Sequence, residues 1–196
     1  MIRTISLSLL LLMLAAGNLF ADSHATISGA LDVSALRAGQ KARLAVVLDI
    51  ADGYHAQSHT PADEFAIKCE LTMDAVPGLE FGPIIYPAGK DENSPQLGKL
   101  NIYTGRVIIL VPVTVANDAK IESIKITGYV QMQICNDESC FPPEKDAVEV
   151  DANVVPAGST VEPRNEQIFT KAPSTQPASP EPSPTTQDSG PATNHS

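Results

Sequence analysis

The 196-residue chain has no tryptophan, few aromatic residues and an excess of acidic over basic side chains. Its 13 Lys and Arg stand against 23 Asp and Glu, for a formal net charge of −10, so no dense basic face is available to bind nucleic acid. An aromatic content of 5% excludes the rows of rings on which single-stranded bases stack. No apolar run reaches the roughly 20 residues that a membrane-spanning helix requires, so the mature chain is expected to have no membrane span.

The first 21 residues have the composition of a secretory signal peptide. Arg3 gives a positive start, an almost uninterrupted apolar stretch runs from Leu7 to Ala16, and cleavage is expected after Ala21, with Ala25 as the competing position. A retained anchor is the alternative, but an apolar core of about ten residues is too short to span a bilayer. The sequence therefore predicts a periplasmic or secreted protein, in a compartment where paired cysteines persist as disulfides.

Residues 157–196 are predicted to form a disordered tail rich in Pro, Ser and Thr. From Ala172 onward the only apolar side chains besides proline are alanines, which cannot bury enough surface to offset the entropy of ordering the segment. Its prolines favour extended conformations typical of a spacer. Within the tail, residues 162–171 are expected to form at most one loose helical turn.

Between about residues 25 and 156, apolar side chains recur at every second position in short runs separated by Gly, Pro, Asp and Asn. With turn signals about every ten residues and no helical periodicity, this predicts seven or eight strands. The expected fold is all-β, an immunoglobulin-like antiparallel β-sandwich. Pro112 interrupts the clearest run and suggests an edge or a bulge. That run consists of Val107, Ile109, Val111, Val113 and Val115.

The three cysteines divide into one core residue and one pair. Cys69 shares the apolar parity of its neighbours Ile67 and Leu71, which predicts a small buried hydrophobe. Cys135 and Cys140 flank a four-residue loop, Asn-Asp-Glu-Ser, that is rich in turn formers. A hairpin closed by this loop places the two cysteines opposite each other, at a Cα separation of about 4.5–5.5 Å that permits a disulfide. Because Cys135 has the polar parity of its strand, its sulfur is expected to lean toward solvent or a cap.

The spacing alone leaves several interpretations of these residues open. A bridge across so short a loop gains little from constraining the unfolded chain, which suits a bond that is made and broken. The same spacing fits an inert staple in a non-catalytic exported binding module. His55 and His59, spaced H-x-x-x-H, could with a thiolate hold copper or zinc in an accessory domain, although surface histidines in a loop are the simpler interpretation. We expect no metal or other cofactor.

The middle of the chain resembles the N-terminal periplasmic domain of the thiol:disulfide interchange protein DsbD. Four segments carry the resemblance: ADGY at 51–54, YPAG at 86–89, GKLNIY at 98–103 and, most specifically, YVQMQICNDESCFPP at 129–143. The resemblance covers about residues 25–155. It implies an immunoglobulin-like domain whose cysteine pair accepts electrons from a thioredoxin-like donor and passes them to periplasmic disulfide proteins. The protein would then be a protein-disulfide reductase-like component.

The resemblance also implies roles for particular residues. Cys140 corresponds to the sulfur that forms the mixed disulfide with partners, and Cys135 to the one that resolves it. Residues 90–98 correspond to a cap loop that shields the pair. An acidic-acidic-aromatic triplet of other members is replaced here, so Leu97 or Tyr103 is expected to provide the shielding side chain. The replacing residues are Ser94, Pro95 and Gln96.

Two further expectations concern electron transfer. In full-length members a membrane domain and a thioredoxin-like domain follow, and because this chain carries neither, electrons are expected to arrive from a separate protein. No Lys, Arg or His lies in the loop to lower a thiol pKa, while Asp137 and Glu138 are expected to raise it from about 8.5. The thiols should therefore react slowly with arbitrary oxidants and quickly only inside a docked complex.

Overall fold

The computed structural model describes residues 24–172, which contain twelve strands and one short helix. The predicted signal peptide and the predicted tail beyond Ala172 lie outside the described residues. Within the described range, no helical segment has the length and hydropathy of a membrane span. The elements are β1 (Ala25–Leu31), β2 (Leu36–Arg37), β3 (Lys41–Ile50), β4 (His55–Gln57), β5 (Glu70–Met73), β6 (Leu79–Phe81), β7 (Lys90–Ser94), β8 (Gly98–Tyr103), β9 (Arg106–Val115), β10 (Ser123–Met132), β11 (Ile134–Cys135), β12 (Glu144–Val155) and α1 (Glu166–Phe169).

Two four-stranded sheets enclose the main core. Their strand orders are β1-β3-β9-β6 and β2-β12-β10-β5, and every pairing is antiparallel except that of β2 with β12. The core takes fully buried side chains from both sheets, among them Leu48 and Ile109 from the first and Val130 and Met132 from the second. Alternating residues of the two inner faces thus meet in one apolar layer. The prediction of an immunoglobulin-like β-sandwich is confirmed.

The strand count exceeds the seven or eight predicted because several strands are too short or too polar to show alternation. β2 and β11 have two residues each, and β4 and β6 have three. β7 has the sequence Lys-Asp-Glu-Asn-Ser and is almost entirely exposed, so it carries no apolar period. Such strands form through pairing with a longer neighbour rather than through their own hydrophobic pattern.

A third sheet, of order β11-β4-β8-β7, continues the second sheet beyond a break at Gln133. Its register aligns Ile134, Ala56 and Tyr103 in one row, and all three belong to the main core. The next row contains Cys135 and His55. Because successive residues of a strand point to opposite faces, this row projects to the face away from the main core. The third sheet therefore positions the cysteine pair.

Pro112 lies in β9, an inner strand, so the edge position suggested for it is wrong. On the β6 side, the ladder of β9 runs to Val113 and is continued beyond the proline by an isolated bridge between Leu110 and Ile85. The Gly82 amide donates to the Pro112 carbonyl at 2.8 Å. The N–H that proline lacks thus falls at the interruption of the ladder, where its absence costs no regular strand bond.

Residues 157–172 pack against the sandwich, so the expectation of disorder is wrong for this described part of the predicted tail. The Asn165 side-chain amide donates to the Leu31 carbonyl at 2.8 Å. Phe169 of α1 is 8% exposed and forms a second apolar cluster on the outer face of the first sheet. That cluster includes Ala45, Val47, Ile108 and Leu110. The central strands β3 and β9 are consequently buried on both faces.

Candidate functional site

Cys135 and Cys140 form a disulfide at the tip of a hairpin, with an S–S distance of 2.01 Å. Their Cα atoms are 3.9 Å apart, closer than the 4.5–5.5 Å range expected. The Phe141 amide donates to the Ile134 carbonyl at 2.8 Å on one side of the bridge, and the loop closes it on the other. The cysteines thus form a non-hydrogen-bonded pair, the kind in which facing side chains approach most closely. The predicted opposition of the two cysteines is confirmed.

Asn136 closes the loop between the cysteines. Its backbone amide donates to the Ser139 carbonyl at 2.9 Å, and its Oδ1 accepts bonds from the backbone amides of Glu138 and Ser139 at 2.9 and 2.8 Å. This is the way in which asparagine stabilises short turns. The geometry of the loop therefore does not depend on the side chains of Asp137 and Glu138, which remain exposed.

The two sulfur-bearing residues differ in accessibility. Cys140 is exposed, whereas Cys135 is 0% exposed. Cys135 lies in the row that projects away from the main core, as its parity predicts, and of the two alternatives, solvent or a cap, its full burial excludes solvent. In the oxidised protein an attacking thiolate can therefore approach Cys140 and not Cys135.

His55 lies directly opposite Cys135 in the pairing of β4 with β11. It is 8% exposed, so the interpretation of this residue as a surface histidine is wrong. Its Nε2 is buried and has no hydrogen-bond partner among the described residues. Burial lowers the pKa of His55, and the nearby carboxylates of Glu92 and Asp137 partly oppose that shift. His55, Glu92 and Asp137 line one cleft of about 320 Å³.

His59 lies in a different environment from His55. Its ring stacks on Tyr86 with centroids 3.6 Å apart, and its Nδ1 is 3.2 Å from the carbonyl oxygen of Cys69. Cys69 is a free cysteine with 0% exposure, and burial raises its pKa to about 12. The prediction of Cys69 as a buried hydrophobe is confirmed. In residues 24–172 no group of three or more His, Cys, Asp or Glu side chains is arranged to hold a metal ion.

Three aromatic rings anchor the exit of the cysteine hairpin. Tyr54 stacks on His24 with centroids 3.9 Å apart, and Phe141 lies at 4.8 Å from His24 and 6.0 Å from Tyr54. Because Phe141 directly follows Cys140, the group holds the backbone beside an exposed cysteine. Sequence reasoning missed this cluster, since its members are separated by about 30 and about 90 residues and share no local pattern.

A family model described as "Thiol:disulfide interchange protein DsbD, N-terminal" matches residues 27–152, which is more than half of the chain. The chain belongs to this family. The DsbD N-terminal match begins within β1 and ends within β12. It therefore covers both large sheets, the third sheet and the complete cysteine hairpin.

The chain is distantly similar to several solved structures. The reduced DsbD N-terminal domain of Neisseria meningitidis has 18% identity and a TM-score of 0.39, over 70% of this chain and 90% of that chain. The N-terminal periplasmic domain of ScsB from Proteus mirabilis has 13% identity and a TM-score of 0.43, over 65% and 44%. A complex of the DsbD and PilB N-terminal domains from Neisseria meningitidis has 16% identity and a TM-score of 0.36, over 62% of this chain and 80% of that chain. Comparison with curated protein sequences gives no match. The family assignment rests on the family model.

Residues 90–98, for which the sequence predicts a cap loop, lie in the β7–β8 hairpin. Ser94 Oγ accepts bonds from the amides of Gln96 and Leu97 at 3.3 and 3.1 Å, and Gly98 takes the positive φ of 78° that this turn needs. Leu97 is 37% exposed. Gly98, at the end of this turn, lies about 17 Å along β8 from Tyr103, whose row is next to that of Cys135. Glu92 of β7 and Ile102 of β8 line the cleft beside His55.

Tyr103 does not shield the cysteine pair. It is 4% exposed, belongs to the main core, and donates its hydroxyl hydrogen to the Pro87 carbonyl at 2.8 Å. Burial raises its pKa to about 12, with smaller contributions that include Cys69. Tyr103 therefore lies on the Cys69 side of the third sheet, whereas Cys135 lies on the opposite face. The expectation that Tyr103 substitutes for an aromatic cap is wrong.

Proposed function

We propose that the protein is an exported thiol-disulfide exchange module of the periplasm. It relays electrons from a thioredoxin-like donor to disulfide-containing proteins through Cys135 and Cys140. The observation that carries the proposal is the asymmetry of the bridge: one sulfur belongs to an exposed residue and the other to a fully buried one, at the tip of a hairpin. The position of that hairpin within a DsbD N-terminal family domain supports the same function.

The exchange that this geometry supports has two steps in each direction. A donor thiolate attacks Cys140 Sγ, the bond between the two cysteines breaks, and Cys135 leaves as a thiolate that takes up a proton. The second donor thiol then attacks the donor sulfur of the mixed disulfide and releases Cys140 as a thiolate. The donor pair ends oxidised and the Cys135–Cys140 pair ends reduced by two electrons. The reverse sequence passes those electrons to a partner disulfide.

Specificity follows from the surroundings of the exposed cysteine. The loop carries the carboxylates of Asp137 and Glu138 and no cationic side chain, so it does not favour a thiolate in the free protein. A docked partner that excludes water and supplies positive charge would change this balance. We therefore propose fast exchange inside a protein complex and slow exchange with small thiols and disulfides.

The full burial of Cys135 favours a second candidate, in which the bridge is a structural staple of a non-catalytic binding module. The two functions differ in how the bond is reduced. A staple resists reduction until the domain unfolds, whereas a redox pair is reduced while the sandwich stays folded.

Thiol labelling under native conditions distinguishes them. The oxidised protein is incubated with a reduced thioredoxin-like protein, treated with a maleimide and weighed by mass spectrometry. We expect Cys140, the exposed residue of the pair, to be labelled while circular dichroism shows an intact fold. Cys69 serves as the internal control, because a buried thiol with a pKa of about 12 should be labelled only after denaturation. Labelling of Cys140 only in denaturant would contradict the exchange function.

A further inference from the structure

The environment of His55 is unusual for a histidine within a β-sheet. The residue is more than nine-tenths buried, and its Nε2 is without a hydrogen-bond partner among residues 24–172. Buried polar atoms are nearly always paired, and an unpaired one requires an explanation. The side chain is also directly opposite Cys135, at a position where the Cβ atoms of facing residues are about 4.5–5.5 Å apart.

The charged groups around His55 come from two other elements. Glu92 belongs to β7 and Asp137 to the cysteine loop, and both carboxylates interact electrostatically with the imidazole. The same cleft is lined by Asp52 and Tyr54, which precede His55 in the chain. No cationic side chain lines it. The surroundings therefore stabilise a positive charge that forms transiently on the ring, while burial keeps the resting ring neutral.

We propose that His55 is the proton acceptor that activates Cys135 when this residue resolves a mixed disulfide on Cys140. The proposal rests on the exchange function and adds a residue to its mechanism. With the bridge closed Cys135 is 0% exposed, which limits the access of water to its sulfur, and the unpaired Nε2 of His55 belongs to the residue directly opposite it in the strand pairing.

In the mixed disulfide, Cys140 is bonded to a partner sulfur and Cys135 is a thiol. The thiol proton moves to His55 Nε2, and the resulting Cys135 thiolate attacks Cys140 Sγ. The Cys135–Cys140 bond forms, the bond to the partner breaks, and its electron pair leaves on the partner sulfur as a thiolate. The imidazolium then loses its proton through the cleft that Glu92 and Asp137 line.

The test uses 5,5′-dithiobis(2-nitrobenzoate) as the disulfide and the fully reduced protein. Cys140 attacks the reagent and releases a first coloured thiolate at a rate that depends on reagent concentration. Resolution by Cys135 releases a second thiolate at a rate independent of that concentration. A Cys135→Ala variant, which should show the first phase alone, assigns the second phase to resolution. The second rate is followed from pH 5.5 to 8.5 in wild type, His55→Gln and the control His59→Gln.

We expect the wild-type resolution rate to stay level from neutral pH down to below the ordinary imidazole pKa of about 6.5, because burial lowers the pKa of His55. In His55→Gln the rate at pH 7 should fall roughly tenfold or more and then climb about tenfold per pH unit toward the ordinary thiol pKa of about 8.5. Added imidazole should accelerate resolution in a His55→Ala variant and not in wild type. His59→Gln should keep the wild-type profile.

Several results would overturn the proposal. A wild-type rate that already climbs tenfold per pH unit excludes a neutral base, and this measurement does not depend on any His55 variant folding. A His55→Gln profile that matches wild type removes His55 alone and leaves the exchange function intact. If the wild-type protein shows no second phase at any pH, Cys135 does not resolve mixed disulfides, and both the exchange function and the role of His55 fail.

Discussion

A Cys135→Ala variant is expected to accumulate a covalent complex with a thioredoxin-like partner, joined through Cys140. In wild type, Cys135 lies across a four-residue loop from Cys140, so the mixed disulfide is resolved within one domain at a high effective concentration. Removal of the Cys135 sulfur leaves the exposed Cys140 able to form the mixed disulfide and unable to close it. A partner variant that lacks its own resolving cysteine prevents release from the other side. Non-reducing electrophoresis and intact mass measure the complex.

The matched control is Cys140→Ala. It also keeps one cysteine of the pair, but the cysteine that remains is the buried Cys135. Because Cys135 is 0% exposed, this variant should form little or no complex and should transfer electrons at the background rate. Cys69→Ala should behave as wild type in both assays, since Cys69 lies on the other side of the third sheet. Equal trapping by Cys135→Ala and Cys140→Ala would show that the burial difference does not select the attacked sulfur.

Gly128→Ala is expected to destabilise the fold by about 1–3 kcal/mol. Gly128 is buried in β10 and is paired with Met73 of β5. A Cβ atom there would overlap the carbonyl oxygen of Thr72 and lie 3.2 Å from Met73 Cα. Both are backbone atoms, so they can move only if β5 separates from β10. Urea unfolding of the oxidised protein, followed by circular dichroism, measures the change.

Gly158→Ala is the control for this substitution. Gly158 is exposed, and a Cβ atom added there would have no heavy atom of another segment within 4 Å. Its free energy of unfolding should change by less than about 0.5 kcal/mol, as is usual for surface sites. Equal stability of the two variants would show that β5 and β10 are not as closely packed as described.

The features that the sequence predicts correctly are those set by local patterns. The apolar alternation around Ile109 predicts a strand and its core face, because the period of side-chain direction in a strand is two. The loop after Cys135 predicts the hairpin and the disulfide, since asparagine and short polar loops favour tight turns. The parity of Cys69 predicts its burial. Each of these inferences needs only a few neighbouring residues.

The features that were missed depend on pairing between distant segments. His55 is opposite Cys135 because β4 pairs with β11. The two strands are about 80 residues apart in the sequence, and together they contain only five residues. No periodic signal arises from elements so short. The burial of the outer face of the first sheet under Phe169, by contrast, does have a signal in the sequence. Ala45 and Val47 are apolar between core residues of β3, and a continuous apolar run is typical of a strand buried on both faces.

A redox titration of the Cys135–Cys140 pair tests whether the disulfide is exchanged while the domain stays folded. The folded protein is equilibrated in glutathione buffers of defined potential, quenched by alkylation and weighed, while circular dichroism follows the fold. We expect a two-electron transition above about −300 mV with the sandwich intact, because structural disulfides have potentials below that value. A pair that stays oxidised throughout this range, and is reduced only when the domain unfolds, would contradict it.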